Sequence, residues 1–296
     1  MKKGTTRKTI ITAAVLALIF AADYLLNDRH PSGEAEEPLS EMDSLAADPA
    51  SHVDLMSRIE IPFRLEDTDG DIVEHMGYTL SYNSGYRIPN WVAYELLSTE
   101  LVTGNRSRED KFTPDPSIKG RQAYDRDYSG SGYDRGHMAP AADMKWSSQA
   151  MKESFYLSNV CPQLHGLNAG AWNDLEQQVR YEAKYYGSVW VVCGPLFDTA
   201  TPRNHIGENH VMVPDSFFKA LLARKKDGTG YVAIGFIFPN ENCTRNLTLY
   251  AMTVDELEAR TGMDFFHNLE TSAQEAAESV MDPFKDWRIK DQILRD

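Results

Sequence analysis

The sequence predicts an α+β domain built around a mixed, largely antiparallel β-sheet. Several short runs rich in β-branched and aromatic residues are typical of strands, namely YTLSYN, VWVVCG, YVAIGFIF and LTLYAMT. Helical stretches are fewer, and the clearest one, NDLEQQVRYEAKYY, places Leu175, Val179 and Ala183 on one face for burial against the sheet. The chain shows no internal repeat, so one mixed core is expected.

Length and composition describe an ordinary globular protein whose charge is uneven. The chain has 296 residues, 42% of them hydrophobic, and a formal net charge of -14, which allows one large core. Residues 28–76 carry fourteen acidic and three basic side chains, residues 254–296 carry eleven and five, and residues 77–253 carry eighteen of each. Because Lys and Arg supply most non-specific affinity for nucleic acid, the flanks disfavour a polyanion, whereas the neutral middle does not exclude one.

The amino terminus has the features of an export signal. Four basic residues precede an apolar run over residues 9–22, and Tyr24-Leu25-Leu26 extends it, as in the charged and apolar regions of such signals. The extended run reaches about 18 residues, the lower limit for a membrane-spanning helix. We expect residues 1–27 to be a signal peptide or membrane anchor, and an uncleaved anchor is favoured, with an extracytoplasmic body in the periplasm or cell envelope. A buried helix is the alternative.

An acidic linker is predicted to follow this segment. Residues 28–56 are rich in Glu, Asp, Ser, Ala and Pro and poor in aromatic residues, which is typical of a flexible, solvated segment. The folded domain is therefore expected over residues 57–296. Cys161, Cys193 and Cys243 are odd in number and widely spaced, so the sequence predicts neither a zinc motif nor a disulfide framework.

The segment YDRGHMAPAADM, residues 133–144, is the first candidate site. Gly136 and the Ala-Pro after His137 indicate a strand end and a turn, where we expect the histidine to have little burial. An imidazole can accept a proton from water near neutral pH, and the guanidinium of Arg135 can hold a phosphate in a planar fork. Phosphodiester hydrolysis uses both groups together with a cation. A surface ion pair between Asp134 and Arg135, beside a solvated histidine, is the alternative interpretation.

The segment FYLSNVCPQLHGLNAGAWNDLEQQVR, residues 155–180, supplies complementary groups. Its pattern predicts a strand, a loop and a helix whose early residues include Asn168, with Glu176 two turns further along. A neutral amide oxygen is a hard ligand suited to Mg2+, which usually takes one or two protein oxygens beside substrate phosphates. The same asparagine suits an N-cap. The residues alone leave both roles open.

Together these motifs resemble the DNA/RNA non-specific endonucleases, a family with a ββα-metal active site. The resemblance rests on DRGH at residues 134–137, the following Ala-Pro, LSNVCPQ at residues 157–163 and LNAGAWNDLE at residues 167–176. Weaker similarities in NWVAYEL, VVCGPLF and TVDELEARTG occur in the family's order, so roughly residues 75–268 are covered. The resemblance implies a ββα-metal motif beside the antiparallel sheet.

The resemblance also implies chemical roles for the matched residues. His137 would be the general base that activates water. Asn168 would be the single direct protein ligand of one Mg2+ ion, with Mn2+ as an alternative ion. Glu176 would be a catalytic acidic residue that holds a water of the metal. These roles describe metal-assisted hydrolysis of a phosphodiester.

Further residues are expected to bind the substrate. The resemblance makes Arg135 a catalytic and phosphate-binding arginine, and it implies a second such arginine in GNRSREDKFTPDP, where Arg106 and Arg108 both fit and Arg108 is favoured. Asn159 resembles a polar residue of the second strand that supports the site and is expected to be substrate-binding, or alternatively to form hydrogen bonds at the strand end. His165 departs from the family pattern and is interpreted as incidental, near the substrate.

The predicted function is that of a Mg2+-dependent, non-specific endonuclease that cleaves DNA and RNA to products with 5' phosphates. Contacts with phosphate and metal would read the backbone without base specificity. A catalytically inactive cell-surface protein that binds nucleic acid is the alternative, and the intact His137, Asn168 and Glu176 argue against it. The predicted partners are DNA and RNA, the membrane through the N-terminal segment, and a second copy in a homodimer.

Overall fold

The computed structural model describes residues 57–64, 70–103, 106–109, 111–198 and 204–290. The predicted signal peptide or anchor, residues 1–27, and the acidic linker, residues 28–56, lie outside the described residues and stay predictions. Within the described ranges, no helix has the length and apolar character needed to cross a membrane.

The described residues alternate short strands with a few helices. The strands are β1 (Phe63–Arg64), β2 (Asp71–Glu74), β3 (Thr79–Asn83), β4 (Ile88–Leu97), β5 (Asp134–His137), β6 (Val160–Gln163), β7 (Ser188–Leu196), β8 (His205–Ile206), β9 (Val211–Met212), β10 (Ser216–Arg224), β11 (Tyr231–Pro239), β12 (Ala251–Met252) and β13 (Met263–Asp264). The α-helices are α1 (Ser98–Thr103), α2 (Asp125–Tyr128), α3 (Ser148–Ser154), α4 (Asn173–Tyr186), α5 (Val254–Thr261) and α6 (Thr271–Glu278). Short 3-10 helices cover Leu157–Asn159 and Leu247–Tyr250, and a π-helix covers Leu167–Trp172.

A seven-stranded sheet in the order β12-β11-β10-β7-β4-β3-β2 forms the centre of the fold. Every neighbouring pair in it is antiparallel. This arrangement confirms the predicted α+β class with a largely antiparallel sheet. The prediction of a strand over the run LTLYAMT is mostly wrong. Its first four residues form the 3-10 helix, and only Ala251–Met252 is a strand. The side chain of Asn246 accepts a hydrogen bond from the backbone N–H of Thr248 and so starts the helical turn.

The two faces of the sheet are buried by different helices. Successive residues of β10 point to opposite sides, so Phe217 packs in one apolar cluster and Phe218 in another. Helix α4 covers the first face through Leu175 and Val179, which confirms its predicted apolar side. Helices α5 and α6 cover the second face, where Leu257 is completely buried. The sheet therefore separates two cores.

Strands β5 and β6 form a two-stranded antiparallel sheet of their own. Gly136 lies opposite Cys161 and His137 lies opposite Val160. The chain then enters the π-helical turn and continues directly into α4, which gives the predicted ββα order. The indole N–H of Trp172 donates to the carbonyl oxygen of His137 at 3.2 Å, so the helix start is fixed to the end of the strand.

Glycine is required at position 136 because a neighbouring side chain crosses the strand there. A Cβ atom on Gly136 would lie 2.1 Å from Oε1 and 2.5 Å from Cγ of Gln163. Gln163 is completely buried, so it cannot swing into solvent. The close approach of these two strands explains the glycine of the DRGH motif.

Replacing this glycine is expected to destabilise the domain. Gly136→Ala should lower the free energy of unfolding by about 1–3 kcal/mol, because the added methyl group overpacks the strand pair. Urea denaturation measures the loss. In the double variant Gly136→Ala/Gln163→Ala the clashing side chain is gone, so its loss should be smaller than the sum of the two single losses. Strictly additive losses would contradict the proposed clash.

Candidate active site

The ββα segment lines a cleft of about 350 Å3. The walls come from the end of β5, the π-helical turn, the first turns of α4 and the segment around residue 108. The predicted residues that line it are Arg108, Arg135, His137, Asn168 and Glu176. The fold thus brings together groups that are up to 68 positions apart in the chain, from 108 to 176.

His137 is the last residue of β5, and only 8% of its surface is exposed. The expectation of little burial is therefore wrong. The rings of Phe112 and Phe155 enclose the imidazole, with ring centroids 5.2 Å and 5.0 Å away. Burial lowers the pKa of His137 from about 6.5 to about 3, and the positive charge of Arg108 adds to this effect. The imidazole is neutral at neutral pH and can accept a proton.

The imidazole is also free of hydrogen bonds on one side. Its Nε2 atom is buried and has no hydrogen-bond partner among the described residues. A buried nitrogen without a partner is uncommon in folded proteins and marks a site where a ligand or water is expected. The imidazole of His137 is therefore neutral and has one nitrogen without a protein partner, and its role as a general base stays a prediction.

Asn168 is oriented by the first residue of the DRGH motif. Its Nδ2 atom donates to Oδ2 of Asp134 at 2.9 Å. Because the amide nitrogen is held there, the amide oxygen points away from that bond and has no protein donor among the described residues. His165 also contacts the same carboxylate oxygen, with Nδ1 at 2.8 Å. The histidine interpreted as incidental is thus part of the support of Asn168.

Two structural alternatives for these residues do not hold. Asn168 is not an N-cap, because it lies inside the π-helical turn and its backbone N–H already donates to Leu164. The surface ion pair between Asp134 and Arg135 is also absent among the described contacts, since Asp134 binds Asn168 and His165. Asp134 instead orients Asn168, which lines the cleft.

Arg135 is fixed by Asp125, which is not one of the cleft-lining residues. Its Nε atom donates to Oδ1 of Asp125 at 2.6 Å, and Nη2 donates to the backbone oxygen of the same residue at 2.8 Å. The guanidinium also lies over the rings of Phe112 and Tyr128, 5.7 Å and 5.5 Å from their centroids. A guanidinium held in this way loses little freedom when it binds a phosphate.

The structure distinguishes the two candidate arginines upstream. The Arg108 guanidinium lies 5.2 Å from the ring centroid of Phe155 and lines the cleft. Arg106 is not among the lining residues, and its backbone N–H donates to Lys145. Of the two, Arg108 is therefore the one that lines the cleft, and its role in phosphate binding stays a prediction.

Arg180 also lines the cleft and was not among the residues predicted for the site. Its Nη1 atom lies 2.8 Å from Oδ1 of Asp143, and that carboxylate, which is buried, also accepts from the hydroxyl of Tyr94 at 3.1 Å. Arg180 follows Glu176 by four residues on α4, so the two share a helix face. That spacing was the available signal for a third cleft arginine.

Glu176 is half-buried, and its charge depends on nearby cations. Burial raises its pKa to about 7; Lys219 opposes this increase, and Asp143 adds to it. Lys219 is completely buried, and its ammonium lies 4.3 Å from the ring centroid of Trp172. A cation in the cleft would favour the ionised carboxylate. The site therefore fits a carboxylate that works beside a metal ion.

Asn159 lies away from the cleft. Its side chain has no exposed surface, and its amide bonds to both backbone groups of Ala139 and to the carbonyl of Ser154, at 2.8–2.9 Å. Asn159 was predicted to contact the substrate directly. In this structure it does not, because the side chain is buried and these three hydrogen bonds use its amide group. The structure places Asn159 as a support for the segment that follows His137, in line with the hydrogen-bonding alternative.

Comparison with known proteins relates this site to a described family. The family model for DNA/RNA non-specific endonucleases matches residues 62–272. The chain belongs to the DNA/RNA non-specific endonuclease family. Nuclease EXOG, mitochondrial, from Danio rerio is 38% identical over 220 residues, which are 70% of this chain and 64% of that protein. Endonuclease G, mitochondrial, from Homo sapiens is 36% identical over 203 residues, which are 65% of this chain and 68% of that protein.

A solved structure supports the same assignment. The crystal structure of an EndoG/EndoGI complex matches with a TM-score of 0.64 and 30% identity, covering 70% of this chain and 90% of that chain. The chain spans less than two thirds of the Danio rerio nuclease and 58% of the corresponding Xenopus laevis protein. The endonuclease family fold is therefore shown for the described domain.

The buried histidine of this endonuclease-family domain is expected to make folding sensitive to acid. Its folded pKa of about 3 lies below the unfolded value of about 6.5, so the unfolded chain binds the extra proton between these values. The free energy of unfolding should therefore fall as the pH decreases through this window. Relative to His137→Gln, wild type should lose about 2 kcal/mol between pH 7.5 and pH 5.

Urea denaturation at a series of pH values measures this difference. His205→Gln is the matched control, because His205 is exposed and does not line the cleft. The control should follow the wild-type pH dependence. Parallel pH profiles for wild type and His137→Gln would contradict the lowered pKa.

Proposed function

We propose that this protein is a Mg2+-dependent endonuclease that hydrolyses DNA and RNA without base specificity and leaves 5' phosphates. The observation that carries the proposal is the meeting of His137, Asn168 and Glu176 in one cleft that also contains arginines. These groups supply a proton acceptor, hard oxygen ligands and phosphate-binding donors. Family membership supports the same reaction class.

The oxygen atoms of the cleft fit a magnesium ion. Asn168 offers a neutral amide oxygen because Asp134 holds its nitrogen. Glu176 offers a carboxylate in the same cleft. Few protein oxygens and access to water and phosphate are the usual surroundings of Mg2+ in such enzymes. When bound, the ion supplies stabilisation of the negative charge that develops on the phosphate and the leaving oxygen.

The chain's own residues perform the remaining steps. His137 takes a proton from the attacking water, since its imidazole is neutral and has a free nitrogen. Phe112 and Phe155 pack against the ring and hold it in place. Arg108 and Arg135 bind the non-bridging phosphate oxygens. A bound phosphate would offset the charge of Arg108, which is the smaller of the two causes that lower the pKa of His137, after burial.

Lack of base specificity follows from the same contacts. Arg135 and Arg108 reach phosphate oxygens, and Asn168 and Glu176 serve the metal, so the proposed contacts read no base edge. A phosphate backbone is common to DNA and RNA, which supports cleavage of both. An inactive nucleic-acid binding protein would not require a buried imidazole with a free nitrogen, so the structure favours the enzyme.

Cleavage assays test the proposal directly. Purified protein should cut plasmid DNA and RNA with Mg2+ but not with EDTA, and His137→Asn should lower kcat about 10²–10⁴-fold with little change in KM. His205→Asn, which replaces an exposed histidine outside the cleft, is the control and should keep wild-type activity. Cleavage in EDTA, or a fully active His137→Asn variant, would contradict the proposed chemistry.

A further inference from the structure

A second group of acidic side chains lies on the face of the sheet opposite the cleft. Asp255 and Glu258 belong to α5, and Glu278 is the last residue of α6. One carboxylate oxygen from each of the three residues lies within 4.8 Å of those of the other two. Helices α5 and α6 pack on the side of the sheet that carries Phe218, whereas the cleft segment packs on the side of Phe217. This acidic group is therefore independent of the cleft.

Glu278 is placed where a carboxylate is costly. Only 3% of its surface is exposed, and its Oε1 atom has no hydrogen-bond partner among the described residues. It also stands at the C-terminal end of a helix, where the helix dipole disfavours a negative charge. A buried polar atom without a partner is rarely retained unless an unseen group satisfies it.

The side chain of Gln274 hydrogen-bonds to Glu278, but the other groups around this carboxylate are acidic. Glu258 uses one oxygen to accept the backbone N–H of Phe265 at 2.7 Å. Asp264 adds a further negative charge nearby. Among the described residues, no Lys, Arg or His forms an ion pair with Asp255, Glu258 or Glu278. The described chain therefore provides no cationic side chain that pairs with Glu278.

We propose that Asp255, Glu258 and Glu278 bind an oxygen-preferring divalent cation. Three carboxylates from two helices supply hard ligands of the kind that Ca2+ and Mg2+ require. The cation would lie between α5 and the end of α6, where it would be a partner for the buried carboxylate of Glu278. Asp255 is exposed, so water can enter and fill the remaining positions.

The site would act on stability and not on cleavage. It joins two helices that cover the second core, where Leu257 and Ala277 are buried. A cation bound only by the folded state raises the unfolding temperature in proportion to the logarithm of its concentration. Loss of the cation would loosen these helices without changing the residues of the cleft.

Thermal unfolding of the full chain tests the site. EDTA-treated protein is compared after addition of CaCl2, MgCl2 or NaCl at equal ionic strength, so that the two divalent arms identify the ion. At about 100 times its dissociation constant, the bound cation should raise the unfolding midpoint by about 5 °C or more. The measurement is repeated in the Asn168→Ala background, which removes the proposed Mg2+ ligand of the cleft, and in that background Asp255→Asn should remove the shift. Because Asp255 is exposed, this variant is expected to fold. Glu278→Gln should remove it as well.

Two controls separate this site from other effects. Glu275→Gln removes one exposed negative charge from α6, the helix that carries Glu278, and should retain the shift. Asn168→Ala removes the cleft ligand and should also retain it. A midpoint shift that is equal in Asp255→Asn and wild type, or that disappears in Asn168→Ala, would overturn the proposal. A shift that NaCl alone reproduces would also overturn the proposal. So would the absence of any divalent effect together with stabilisation of the EDTA-treated protein by Glu278→Gln, because the carboxyl groups would then share a proton.

Discussion

The hydrogen bond from the Asn168 amide nitrogen to the Asp134 carboxylate is the constraint on which the cleft depends. An amide group can present either nitrogen or oxygen, and only the oxygen can serve a cation. Asp134 selects the orientation because a carboxylate accepts and does not donate. The bond also joins β5 to the start of the helical segment, so a displacement of β5 would move the proposed metal ligand.

The rest of the ββα segment maintains this geometry. Gly136 allows the buried side chain of Gln163 to cross β5, which brings β6 close. The indole N–H of Trp172 donates to the carbonyl oxygen of His137, and its ring forms a cation–π contact with the ammonium of Lys219. The buried lysine offsets part of the charge of Glu176 and Asp143 behind the cleft. Positioning and charge balance are therefore built from the same few side chains.

The sequence predicted the local motif well because its chemistry is local. DRGH, the following strand and the amphipathic α4 are short-range patterns, and they meet as expected. The burial of His137 was mispredicted because Phe112 and Phe155 reach it from distant parts of the chain. LTLYAMT failed as a strand because Asn246 starts a turn beside it, and side-chain capping can override strand propensity.

Other features needed the tertiary structure. Arg180 was identifiable only by its spacing from Glu176, and its pairing with buried Asp143 links α4 to a loop 37 residues away in the chain. The complete burial of Asn159 depends on Ser154 and Ala139, which the strand pattern does not place. Long-range contacts of this kind have no periodic signature in the sequence.

The Mg2+ concentration that gives half-maximal cleavage by Asp134→Asn tests the central claim most directly. If Asp134 orients the amide of Asn168, this concentration should rise about 10–100-fold, because supporting bonds of metal ligands contribute that much affinity. Asp125→Asn, which loosens Arg135 and leaves Asn168 untouched, is the matched control and should raise KM for nucleic acid without changing the Mg2+ requirement. An unchanged Mg2+ requirement in a folded Asp134→Asn variant would contradict the account.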